Sequence, residues 1–230
     1  MNRRYLYKFI FVILMFFLGG TILGELLISL GLNPKLFDAK DINYLETLIY
    51  LIYAIIIYIL YRKYFRADFK ELKNGFQKYL RIILKYFAIF LLVKIGSAIL
   101  TSIISSLLNI QIGNSENQEA VIETLNAGPI MMIISAVILA PIVEEGIFRL
   151  SIRKVIDNRY LFILCSGLLF GFIHVFPTSL NIVVALIHSI VYVAVGLCFA
   201  YIYEETDNIW VTMIIHALNN LLSIMALLIL

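Results

Sequence analysis

Charge is what this sequence has least of. Only 14% of its 230 residues are Asp, Glu, Lys or Arg, against 62% apolar residues, and its mean hydropathy is +0.97. A soluble domain of this length needs far more charge to cover its surface. Cysteine is nearly absent. Cys165 and Cys198 both sit inside apolar runs and read as small core hydrophobes, which excludes a disulfide framework or a Cys-based metal site. The four prolines leave no Pro-rich linker, and there is no soluble domain, low-complexity tail or internal repeat. Segments alternating polar and apolar residues are missing, which excludes a membrane β-barrel. A net charge of +3 is too small to imply nucleic acid as a partner. The H-E-x-x-H signal of zinc proteases is also missing.

What the chain does have is uncharged apolar runs long enough to cross a bilayer. Seven are read: Tyr7–Leu30, Leu45–Tyr61, Ile82–Leu108, Pro129–Arg149, Leu161–Phe176, Ile182–Tyr203 and Ile209–Ile229. The expected fold is all-α, a polytopic transmembrane helical bundle of about seven to eight helices around an intramembrane polar cavity, with the lipid bilayer as its solvent. Residues 1–128 are read as N-terminal transmembrane helices with a basic interfacial segment, and residues 129–230 as a helical core. The first run lacks an A-x-A-like cleavage site and carries Glu25, so it reads as a retained signal-anchor helix rather than a cleaved signal peptide.

Lys and Arg gather in three places: before the first run (Arg3, Arg4, Lys8), between Arg62 and Lys85, and after the fourth run (Arg153, Lys154, Arg159). If every run crosses once, all three fall on one side, and the bias of basic loops makes that side cytoplasmic. The Gln111–Gly128 loop has acidic residues but no Lys or Arg and is expected outside. Arg62–Lys85 interleaves Phe65, Phe69, Leu72, Phe76 and Tyr79 with its charges, the pattern of a basic amphipathic helix lying on the inner leaflet.

Against this background two adjacent carboxylates, Glu144 and Glu145, stand in an apolar run, where one charge costs about 2.5–3.5 kcal/mol on insertion scales. Neighbours on a helix point about 100° apart, so the two are not expected to share a face. Glu145 and Arg149 have the favourable i,i+4 order for an ion pair. That leaves Glu144 unpaired in its own helix and available as a general base. Pro141 cannot donate its backbone bond, which is expected to orphan the Val137 carbonyl and open a kink beside Glu144. Gly146 would let another helix come close. His174 follows Phe170 by four residues, in a run where Gly167 and Gly171 form a G-x-x-x-G packing pair. Thr212, His216 and Asn220 form a polar stripe at a spacing of four. His188 lacks such company and reads as a helix-to-helix hydrogen-bond partner.

The types suggest two chemistries. Glu144 and His174 can activate water while His216 and Asn220 bind an oxyanion. Alternatively, Glu144, His174 and His216 could hold a Zn2+ ion with an open position. Counting depth along each run puts Glu144 and His216 about 8–12 Å from the cytoplasmic boundary and His174 nearer 20 Å, a mismatch that tilt or shifted boundaries would have to absorb.

Glu144-Glu145-Gly-Ile-Phe-Arg149, Phe170-Gly-Phe-Ile-His174 and His216-Ala-Leu-Asn-Asn220, in this order on membrane helices, resemble the CAAX protease and bacteriocin-processing (CPBP, or Abi) family of intramembrane proteases. The likeness extends over Pro129–Ile229 and includes Tyr192–Gly196 and Thr206–Trp210. It implies an eight-helix or similar core and an endopeptidase acting on a membrane-associated peptide or protein. It assigns Glu144 and His174 to water activation, and His216 and Asn220 to the oxyanion site. Glu145, Arg149 and Phe170 would support them, and the cofactor would be none or Zn2+. The Ile-, Lys- and Asn-rich, Ala-poor composition suggests a bacterial cell membrane. That argues against a prenylated substrate, and the resemblance implies instead pheromone or bacteriocin processing or self-immunity. Two other readings compete: a non-catalytic scaffold or immunity protein on the same fold, and a transporter using Glu25, Lys94 and Glu144, for which no broken-helix pair or inverted repeat is present.

Overall fold

The computed structural model describes residues 3–32, 36–175 and 182–229. Within them every regular element is a helix and there is no strand. Eight helices follow in order: α1 (Arg3–Ser29), α2 (Ala39–Asn74), α3 (Phe76–Leu107), α4 (Glu116–Ala127), α5 (Pro129–Ser151), α6 (Arg159–Ile173), α7 (Ile182–Thr206) and α8 (Ile209–Ile229). Six of them, all but α4 and α6, are long and apolar enough to cross a membrane, so this is an integral membrane protein. Their outer faces carry exposed Leu, Ile and Phe side chains, such as Leu92, Ile99 and Leu107 on α3, which suits lipid rather than water.

Three expectations change here. The fifth run forms a helix of only 15 residues, about 22 Å long at 1.5 Å per residue, too short for a hydrocarbon core of about 30 Å. The expected end of that run at Phe176 lies outside the described residues. The Gln111–Gly128 segment is not a plain loop. Ser115 caps the N-terminus of α4 by accepting from the Gln118 amide, a local bond that pure hydropathy does not register.

The basic stretch is not a separate interfacial helix either. It is the second half of α2 and the start of α3, divided at Gly75. A non-helical Tyr61 (φ −117°, ψ 15°) marks where the apolar half of α2 gives way to the basic half, and Lys8 donates to the Leu60 carbonyl beside it. The basic half docks on the start of α8. The Asp68 carboxylate accepts from the Ile209 amide at 3.0 Å, and Trp210 Nε1 donates to the Phe65 carbonyl at 2.8 Å. A carboxylate at a helix N-terminus satisfies an orphan donor and meets the positive end of the dipole.

These contacts gather one end of the bundle. Arg153 pairs with Glu204 at 2.7 Å, and Arg159 with Glu205. The start of α1, the basic half of α2, the α5–α6 connection and the α7–α8 connection therefore all lie together. Elsewhere glycines set helix spacing. A Cβ on Gly171 would come within 2.6 Å of Val193 Cα, and one on Gly196 within 2.5 Å of the Gly167 carbonyl oxygen. The G-x-x-x-G pair thus brings the backbones of α6 and α7 into contact. Gly146 likewise makes room for Ile57 of α2.

Candidate active site

The helix α5 carries the site and is not a uniform α-helix. Its residues Ile134–Leu139 and Gly146–Ser151 are wound as π-helix, flanking the α-helical turn that holds Glu144 and Glu145. Such segments occur often at functional sites. In the first, the Ala140 amide bonds the Ser135 carbonyl, five residues back. In that register the next donor would be Pro141, which has no N–H, and the carbonyl it orphans is Ala136 rather than the expected Val137. Asn220 of α8 fills the gap: its Nδ2 donates to the Ala136 oxygen at 2.8 Å. In the second π segment, Ser166 of α6 donates to the Phe148 carbonyl at 2.6 Å. Each π segment is thus tied to a different helix.

Glu145 and Arg149 are both fully buried. Arg149 Nε stands 3.2 Å from Glu145 Oε2, the expected i,i+4 pair, though off the line of a hydrogen bond. The guanidinium lies over the Phe170 ring at 4.3 Å and near Phe199 at 5.3 Å, a cation–π setting that helps to hold a charge away from water. The other oxygen of Glu145 accepts from His216 Nδ1 at 2.9 Å. That bond gives His216 its Nδ1–H tautomer and turns Nε2 the other way.

Nε2 of His216 faces Glu144. Glu144 Oε2 is buried, has no hydrogen-bond partner, and stands 3.9 Å from His216 Nε2 and 3.9 Å from His174 Nε2. His174 has the same tautomer for another reason: its Nδ1 bonds the Phe170 carbonyl at 2.7 Å. Two imidazoles therefore present Nε2 toward one carboxylate oxygen, at distances too long for direct hydrogen bonds. The adjacent glutamates do point apart, yet both reach His216, because an imidazole offers nitrogens on opposite edges of its ring. The depth mismatch also disappears. Counting residues from a common plane assumes parallel helices, and the contacts show that His174 and His216 meet at Glu144.

Phe170 forms the wall behind both imidazoles, with ring centroids 4.5 Å from His174 and 6.1 Å from His216. Some residues fall elsewhere. The Thr212 hydroxyl turns back onto the Ile209 carbonyl and is spent there. Half-buried His188 is not part of this cluster, and Glu25 is exposed on α1.

Sequence spacing missed two neighbours. Tyr192 of α7 stacks on His174 at 5.3 Å and 13°, and its hydroxyl bonds Ser115 Oγ at 2.7 Å. Lys94 of α3 donates to Asn219 Oδ1 at 2.7 Å and Ser223 Oγ at 3.2 Å. The lone aromatic at Tyr192 carried no spacing signal, but a lysine in the middle of an apolar run did.

A Zn2+ ion is the one group this donor set suggests, since a carboxylate and two imidazole Nε2 atoms are suitable ligands for an open site. Ligands of a tetrahedral zinc stand about 3.3 Å apart, given metal–ligand distances of about 2.0–2.1 Å. The 3.9 Å separations are wider, and among the described residues no three His, Cys, Asp or Glu side chains stand at metal-ligand spacing. The donors as arranged do not fit the ion.

Residues 126–222 match the family model described as "Type II CAAX prenyl endopeptidase Rce1-like". The chain is 34% identical over 109 residues to "Putative membrane peptidase YdiL" of Bacillus subtilis, covering 46% of this chain and 41% of that protein. It is 33% identical over 109 residues to "UPF0177 protein YajF" of Lactococcus lactis, covering 45% of this chain and 53% of that one. The matches thus span about half the length of these curated relatives or less. No solved structure matches at a significant level. Glu144, Glu145, Arg149, Phe170, His174, His216 and Asn220 all fall inside the matched segment, so the part of the chain that is similar to the Rce1-like type II CAAX prenyl endopeptidase family is the part that carries the site.

Proposed function

We propose that this protein is an intramembrane endopeptidase that hydrolyses a peptide bond of a membrane-associated peptide or protein. The observation that carries the reading is the partnerless Glu144 Oε2 facing two imidazole Nε2 atoms at 3.9 Å each. A gap of that width admits a water molecule hydrogen-bonded to the carboxylate and to an imidazole. Glu144, aided by His174, takes a proton from this water as its oxygen attacks the scissile carbonyl carbon. The carbonyl oxygen gains negative charge, which His216, acting as an imidazolium with its Nδ1–H on Glu145 and its Nε2–H toward the oxyanion, and the Asn220 amide stabilise by donating hydrogen bonds. Collapse of the tetrahedral intermediate breaks the C–N bond, and the proton held by Glu144 passes to the leaving amine. Glu145 and Arg149 act behind this set. Glu145 orients His216, and Arg149 balances the charge of Glu145.

In this reading residues 129–230 are the catalytic core and residues 1–128 support it. The basic end of the bundle is cytoplasmic, including the N-terminus, and the host membrane is that of a bacterial cell. The substrate we favour is a peptide of the pheromone or bacteriocin kind, with a role in processing or self-immunity.

The test is cleavage of candidate membrane-associated peptides by the purified protein in lipid nanodiscs. Glu144→Ala and His174→Ala should each abolish cleavage in protein that remains folded. Full activity in both variants overturns the proposal. Cleavage that persists after treatment with a strong chelator, with metal content measured, places the chemistry on the side chains alone.

A further inference from the structure

Lys94 is a cation in the middle of α3, partly buried, whose hydrogen-bond partners are neutral: Asn219 Oδ1 at 2.7 Å and Ser223 Oγ at 3.2 Å. It lies outside the family-matched segment. The contacts continue beyond it. Asn219 Nδ2 donates to Asn220 Oδ1 at 3.0 Å, and Asn220 Nδ2 donates to the Ala136 carbonyl at 2.8 Å. Lys94, Asn219, Asn220 and Ala136 thus form one chain of hydrogen bonds from α3 through α8 to the π segment that precedes Glu144.

The direction of this chain is set at both ends. A lysine ammonium can only donate, and a backbone carbonyl can only accept. Between them each carboxamide has one consistent orientation: oxygen toward Lys94, nitrogen toward Ala136. Reversing Asn220 would set its oxygen against the Ala136 oxygen; reversing Asn219 would set its NH2 against the ammonium. An isolated asparagine in a membrane has no such constraint. The carboxamide nitrogen of Asn220 carries two N–H groups. One is spent on Ala136, and the other is the donor that the proposed reaction uses.

We infer that Lys94 and Asn219 are positioning residues that hold the Asn220 carboxamide with its NH2 edge toward the α5 backbone and the reacting carbonyl. Neither touches substrate; both act through Asn220. The inference rests on the proposed peptidase reaction for its catalytic consequence but not for the relay itself.

Asn219→Asp separates orientation from packing. The carboxylate keeps the size of the side chain and gains an ion pair with Lys94, so a merely structural role would be preserved. It cannot donate to Asn220 Oδ1, however, and it competes with Ala136 for the Asn220 NH2 group. The expected result is a fall in kcat of roughly tenfold to hundredfold, the scale of a weakened oxyanion donor, with KM little changed. Lys94→Met should lower kcat in the same direction by less, and Lys94→Arg, another donor-only cation, should restore most of it. Wild-type kcat in folded Asn219→Asp overturns the inference. If that variant does not fold, wild-type kcat in Lys94→Met overturns it. In parallel, 15N-asparagine-labelled protein in nanodiscs reports the relay directly. The side-chain amide signals of Asn220 should shift in Lys94→Met, and unchanged signals overturn the relay. If wild type cleaves no peptide while these signals shift, the peptidase reading fails and the relay stands.

Discussion

Glu144 and Glu145 are neighbours in sequence and have opposite surroundings. Glu145 is sealed: an imidazole N–H holds one oxygen, a guanidinium faces the other, and two aromatic rings flank that guanidinium. Glu144 has an oxygen with no partner and two imidazole nitrogens held just beyond contact. One peptide bond thus separates a carboxylate used for structure and orientation from one left available for chemistry. The difference arises because α8 supplies His216 to both, while Arg149 is on the side of Glu145 only. Burying a charge is tolerable where it is paired. Leaving one unpaired costs stability, and such costs are found where a site needs them.

The comparison can be broken most sharply at Glu144. Glu144→Gln should lower cleavage by at least about a hundredfold, the scale of a lost general base, while thermal unfolding stays at or above the wild-type temperature because an unpaired carboxylate has been removed. An unfolded or destabilised Glu144→Gln would erase the contrast with Glu145. The next largest effect is on stability. Arg149→Leu strands Glu145 in an apolar core and should cost about 3–5 kcal/mol, read by thermal or denaturant unfolding in a fixed detergent. The double variant Arg149→Leu, Glu145→Leu should recover part of that loss, and a neutral single variant would show that Glu145 is not held as described. Gly171→Ala places a methyl within 2.6 Å of the α7 backbone. It should cost about 1–3 kcal/mol and reduce cleavage by moving His174 away from Glu144; wild-type stability would mean that α6 can shift freely. The smallest effect expected is that of Tyr192→Phe. It keeps the ring on His174 and loses the hydroxyl's bonds to Ser115 and Asn117, about 0.5–1.5 kcal/mol each, with cleavage close to wild type. A large drop in cleavage would give the hydroxyl a part in the chemistry.

Several of these features were legible from residue order. Apolar runs mark the spanning helices because lipid cannot satisfy a bare backbone. Basic clusters on alternate connections place those connections at one end, and Arg153–Glu204 and Asp68–Ile209 now bind that end together. The Glu145–Arg149 pair was legible because i,i+4 is a contact within one helix. Expectation and structure part either at a contact between distant residues or at a local backbone choice that residue spacing does not record. The basic half of α2 looked like a free interfacial helix because nothing local announces Trp210 as its partner. Thr212 looked like part of a polar stripe, but its hydroxyl found a backbone carbonyl one turn away. The orphan carbonyl moved from Val137 to Ala136 because π-winding shifts every donor by one residue.

By itself, then, the sequence determined that the chain lives in a membrane as helices, which end of the bundle is basic, and which few polar residues had to find company there. Hydropathy and helical periodicity are local properties, and they are written in residue order. Only the tertiary structure decided who that company is: that His174 and His216 turn Nε2 toward the same oxygen of Glu144, that Asn220 serves the Ala136 carbonyl, and that Lys94 stands behind Asn219. Those choices depend on how four separate helices pack. In a medium without water, each buried donor and acceptor takes its partner from whichever helix the packing brings within reach.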